Sequence, residues 1–78
     1  MQTNKTKTLA YYMALPYPIE VTPPEDDDED WFAEIPLLHG CMAQGTKDEI
    51  INLVEETKRI WIETALEYND SIPEPSLP

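Results

Sequence analysis

The chain has 78 residues, 16 of them Asp or Glu against 5 Lys or Arg, and a net charge of −11 at pH 7. That length admits one domain, which buries only about 60% of the surface its unfolded form exposes, and the scattered cations Lys5, Lys7, Lys47, Lys58 and Arg59 offer no footprint for a phosphate backbone. Cys41 stands alone, so no internal disulfide can staple so small a core, and an unpaired thiol fits a reducing compartment.

Met1 to Thr8 is polar and reads as a disordered N-terminal tail. Leu9 to Leu15 can form one or two helical turns before Pro16 and Pro18 push the chain into extended geometry. This apolar stretch is broken by Tyr11 and Tyr12 and falls short of the roughly 20 residues a membrane helix needs, so a soluble, cytoplasmic protein is expected. From Tyr17 to Thr22 the residues alternate, with Ile19 and Val21 on one face and Glu20 and Thr22 on the other, which predicts a first strand ended by Pro23 and Pro24.

Glu25, Asp26, Asp27, Asp28, Glu29 and Asp30 follow without a break. Like charges repel and Asp disfavours pleated geometry, so this run is expected to be the turn of a hairpin. Trp31, Ala33 and Ile35 then share one face of a second strand, and a third is expected over Cys41 to Gln44. Gly40 and Gly45 are expected where turns need positive φ.

Thr46-x-x-Glu49 has the spacing of a capping box and predicts a helix of about 22 residues that runs to Tyr68 and is stopped by Asn69. At 100° per residue its apolar positions sweep roughly 240° of the circumference. A three-stranded sheet masks about half of a helix, so the short N-terminal helix and the tail, or else a second chain, must cover the rest. Ile51, Ile62 and Leu66 are the self-association candidates. The end, 71–78, is proline-spaced and expected to be extended. The overall expectation is an α+β fold, a small antiparallel sheet of three strands packed on one long helix, as a single domain over 9–70.

No residue set calls for catalysis, a cofactor or a metal. The acidic run lacks the central glycine and distal glutamate of a calcium loop. His39 and Cys41 are two soft ligands where zinc needs three or four, and a cysteine nucleophile would also need an orienting group and an oxyanion hole. His39 is expected in a loop and Cys41 as a small buried apolar group. A glycosidase-like carboxylate pair would need a pocket that so short a domain seldom builds. The charge serves either solubility alone or electrostatic steering toward a basic protein.

From Tyr11 to Ser76 the chain resembles the HicB family of antitoxins. The matching stretches are Leu15-Pro-Tyr-Pro-Ile-Glu20, the acidic turn ahead of Asp30-Trp31-Phe32, Ile35-Pro-x-Leu-x-Gly-Cys-Met-Ala-Gln-Gly45, Thr46-x-x-Glu49, Lys58-x-x-Trp-Ile-Glu-x-Ala-Leu-Glu67 and Ile72-Pro-Glu-Pro-Ser76. The resemblance implies a partial RNase-H-like fold without the catalytic carboxylates, and a protein that neutralises a small basic HicA-like RNase toxin by covering its active surface. Glu25 to Asp30 with Trp31 and Phe32 would form the contact. Pro36-Leu-Leu-His-Gly40 stands where the family commonly has Pro-Asp-Leu-Pro-Gly, the acidic turn lacks the usual glycines, and the connection into the helix is one residue shorter. Many relatives continue into a further strand and a DNA-binding domain. An end at Pro78 implies no direct operator binding and an open sheet edge that favours a homodimer or higher homo-oligomer. The rival expectation is an orphan HicB-like module that only self-associates, as a regulatory or scaffold protein.

Overall fold

A computed structural model of the chain describes residues 7–26 and 30–75. Five elements follow one another: α1 (Leu9–Met13), β1 (Glu20–Thr22), β2 (Trp31–Glu34), β3 (Met42–Gly45) and α2 (Ile50–Glu67). The strands form one antiparallel sheet in the order β1-β2-β3, as the alternating pattern and the intervening turns require. In register, Val21, Ala33 and the adjacent Ala43 face one side, while Glu20 and Glu34, and Phe32 and Gln44, pair on the other. The expected α+β architecture of a three-stranded sheet, one long helix and a short N-terminal helix is what the chain adopts.

The helix α2 packs on β2 and β3 and carries α1 on its flank. Ile50, Val54, Lys58, Ile62 and Ala65 form its buried stripe, at the three- and four-residue spacing that keeps side chains on one face. Ile50, Val54 and Ile62 join Ala33, Ile35, Leu38 and Cys41 from the sheet side and Tyr12 and Tyr17 from the N-terminal side in one core. Each large aliphatic group buried here contributes about 1.5–3 kcal/mol relative to an exposed one.

The two ends of α2 differ in how they are closed. The capping box does not form: no side chain caps the N-terminus, and the helix begins at Ile50 rather than at Thr46. The Thr46 carbonyl accepts instead from the N–H groups of Glu49 and Ile50, so a tight turn occupies the space where a first helical turn was expected. At the other end Asn69 takes φ 58°, Asp70 N–H donates to the Ala65 carbonyl at 2.8 Å and Asn69 N–H to that of Leu66 at 3.2 Å. This is a Schellman closure, with Asn in the left-handed position that glycine more often fills.

Gly40, at φ 86°, serves the turn between β2 and β3 as expected. Gly45 does not, for it is the last residue of β3 and no positive φ is found there. Its lack of a side chain lets Leu53 of α2 approach, and a Cβ at Gly45 would overlap that leucine.

The ends of the domain reach further than 9–70. Thr8 accepts from Tyr11 N–H as the cap of α1, and Lys7 pairs with Glu74 at 3.2 Å. Residues 71–75 are extended, as expected, but docked: Tyr17 Oη donates to the Pro73 carbonyl at 2.6 Å, Tyr11 Oη to Glu74 at 3.0 Å, and Ile72 packs against the core. The remainder of the expected tails, 1–6 and 76–78, lies outside the described residues.

Candidate protein-binding surface

The hairpin places Glu25, Asp26 and Asp30 at one end of the sheet. Glu25, Asp26 and Asp30 are exposed there, while Asp27, Asp28 and Glu29 lie outside the described residues. Trp31 and Phe32 are adjacent in sequence but the pleat sends them to opposite faces. Trp31 packs against the core on the helix side, and Phe32 stands half-buried on the other face beside Gln44. A partner lying on one face of the sheet therefore meets Phe32 and not Trp31.

The three helix candidates also part company. Ile51 and Leu66 are exposed, whereas Ile62 is fully buried. Ile62 is thus a core residue of its own chain and no contact for a second copy; it belongs to the buried stripe, between Lys58 and Ala65. The apolar surface that α2 leaves open lies along its other edge. Ile60 is 62% exposed and Tyr68 68% exposed, and Ile60, Trp61, Thr57 and Thr64 line a groove of 490 Å³ together with Asp70 and Ser71. Trp61 is anchored within its own chain, its indole N–H donating to the His39 carbonyl at 2.8 Å.

Lys58, one of the scattered cations of the sequence, sits in the buried stripe at 4% exposure. Its ammonium is held by Glu55 at 3.0 Å and lies 5.7 Å from the centre of the Tyr17 ring, two contacts that replace part of the lost hydration. Apolar periodicity could not mark it, although the position falls in register with Val54 and Ile62. Beside it Cys41 is fully buried, and burial pushes its thiol up despite the opposing charge of Lys58. A protonated, enclosed thiol is no nucleophile. His39 is exposed in the turn, so the pair that sequence proximity suggested is divided between solvent and core. Among the described residues no three His, Cys, Asp or Glu side chains converge as metal ligands, and no helix is long and apolar enough to cross a membrane.

Comparison with known proteins gives two relatives. A UPF0150 protein of Synechocystis sp. is 40% identical over 58 residues, which is 73% of this chain and 77% of that protein. This chain belongs to the UPF0150 family. A second UPF0150 protein, from Thermoplasma acidophilum, is 36% identical over 50 residues, 63% of this chain and 72% of that one. No family profile and no solved structure matches the chain. Neither relative's name states an activity, ligand or partner.

The charges of this UPF0150 chain are unevenly arranged. Of the three ion pairs among the described residues, Lys58–Glu55 and Arg59–Glu63 lie on α2 and Lys7–Glu74 joins the segment before α1 to the C-terminal tail. None reaches the sheet. What the arrangement offers chemically is a surface for binding, with apolar groups beside carboxylates that no lysine or arginine among the described residues neutralises.

Proposed function

We propose that this protein is an antitoxin-type binding protein that neutralises a small basic HicA-like RNase toxin by covering its active surface, and that it acts by binding rather than by catalysis, in the cytoplasm. The observation that carries the reading is the net charge of −11 combined with the exposed carboxylates Glu25, Asp26 and Asp30 at one end of a hairpin whose strands contain no lysine or arginine. Such a field raises the encounter rate with a cationic protein and suppresses contact with nucleic acid. The HicB-like stretches from Leu15 to Ser76 support the same reading.

The test is titration calorimetry of the purified protein against the HicA-like product of an adjacent gene at low salt, alongside an RNA-cleavage assay of that toxin. A micromolar or tighter complex that suppresses cleavage and weakens with added salt is expected. No heat at micromolar concentrations with cleavage unchanged would overturn it.

A second reading, an orphan module that self-associates as a homodimer or higher homo-oligomer, is favoured by the exposed Ile60 and Tyr68 beside the α2 groove. Sedimentation distinguishes the two. A stable oligomer with no affinity for the toxin supports the orphan module.

A further inference from the structure

The register of the sheet puts six side chains on the face turned away from α2, in two rows: Glu20, Glu34 and Met42, then Thr22, Phe32 and Gln44. No described element covers this face, since α2 packs on the other side of β2 and β3 and α1 packs on α2. Antiparallel sheets tolerate one solvated face, and its usual mark is a polar set of side chains. This one departs from that in two ways. Met42 is 45% exposed, and with Phe32, Ala43 and Gln44 it lines a depression of 370 Å³. Glu20 and Glu34 also stand directly opposite one another, an arrangement in which like charges destabilise the strand pair.

Nothing within the described chain relieves that repulsion. The three ion pairs lie elsewhere, and Lys47 is in the turn before α2, beyond the far end of β3. A cation supplied from outside would relieve it and would gain the field of Glu25, Asp26 and Asp30, which flank the Thr22 and Phe32 end of the same sheet. A second copy of this chain would do the opposite, because stacking the face on itself brings two Glu20–Glu34 pairs together on molecules that each carry −11.

We propose that the outer face of the sheet is the docking surface for a cationic protein partner, whose lysine or arginine side chains reach Glu20 and Glu34 while an apolar group beside them fills the depression at Phe32 and Met42. The assignment rests on the binding-protein reading above and names where on the molecule binding occurs. A three-stranded patch of this kind covers roughly 200 Å², against about 800 Å² per partner in a typical stable interface. It is therefore the centre of a contact that Glu25, Asp26 and Asp30 extend.

The test compares the double variant Glu20→Gln/Glu34→Gln, the single variant Met42→Lys and the control Glu56→Gln/Glu67→Gln. The control removes the same charge from exposed positions on α2. Thermal melts come first: with the facing carboxylates gone, the sheet double variant melts at or above the wild type. Calorimetry against the same HicA-like protein at low salt then shows the sheet double variant and Met42→Lys each binding about tenfold or more weakly, while the control stays within about twofold of the wild type. Equal weakening by the sheet pair and the control would mean that only total charge matters, and would overturn the placement. So would full binding by both sheet variants, or a sheet variant that turns a dimer into a monomer in sedimentation, which would assign the face to a second copy. In each of these cases the wild type still binds, and the binding-protein reading stands. Failure of the wild type to bind overturns both.

Discussion

Tyr17 shows how one side chain links the two ends of the domain. Burial pushes its hydroxyl from 10.0 up to about 12, and that hydroxyl donates to the Pro73 carbonyl at 2.6 Å. A folded pKa above the unfolded one means the native state keeps the proton longer. The stabilisation is complete below about pH 10 and is lost as the pH rises from there through about 12. Its size is on the order of 2 kcal/mol. Urea titrations at a series of alkaline pH values, followed by tyrosinate absorbance, are expected to show the midpoint falling across that window. Tyr17→Phe should lower the neutral-pH stability by about 1 kcal/mol, through the lost hydrogen bond, and flatten the alkaline fall; an unchanged slope in this variant would show that another group is responsible. Lys58 illustrates the opposite relation between residue and sequence. Its charge predicts a surface position, but its stem fills the stripe between Val54 and Ile62 and Glu55 receives its head, a compromise open to a long cationic side chain with a partner one turn away.

At the scale of elements, α2 was legible through its period and its end, not through its start. Asn69 stops the helix because its backbone takes φ 58° there, a conformation that costs other L-residues roughly 1–2 kcal/mol and glycine almost nothing. Asn69→Ala is therefore expected to destabilise by about 1 kcal/mol and Asn69→Gly to hold or raise stability, as read from urea midpoints. Equal midpoints for the two would show that the Schellman closure contributes nothing. The start differs from the expected one because Thr46 and Glu49 carry the right letters for a capping box while Gly45, immediately before, ends β3 against Leu53. The chain must turn within three residues, and the Thr46 carbonyl takes the hydrogen bonds that its hydroxyl was expected to take.

For the whole molecule the dominant quantity is an imbalance of eleven charges on a surface small enough for most of them to interact. At low ionic strength the Debye length, about 30 Å at 0.01 M, leaves that repulsion largely unscreened; near 0.15 M it falls to about 8 Å. Adding sodium chloride over this range is expected to raise the melting temperature. Each kcal/mol of relief moves it by about 4–8 °C for a domain of this size. Circular-dichroism melts check it. A melting point that falls with salt would mean that the ion pairs of Lys7, Lys58 and Arg59 outweigh the net repulsion. The candidate site was legible to a similar degree: the acidic run and the placing of Phe32 on the face opposite Trp31 could be read from composition and alternation, but Glu20, Glu34 and Met42 become neighbours only through the pairing of three strands.

The sequence by itself determined the elements of this protein and their order, because prolines, alternation and helical period act on backbone within a few residues of themselves. It also determined the acidity, and with it the kind of partner that electrostatics favours. Which faces are covered was decided only by tertiary structure. Ile62 is enclosed and Ile60 is not, Lys58 is inside, and the tail is tied to Tyr17, since each of those outcomes depends on where segments far apart in the chain pack against one another.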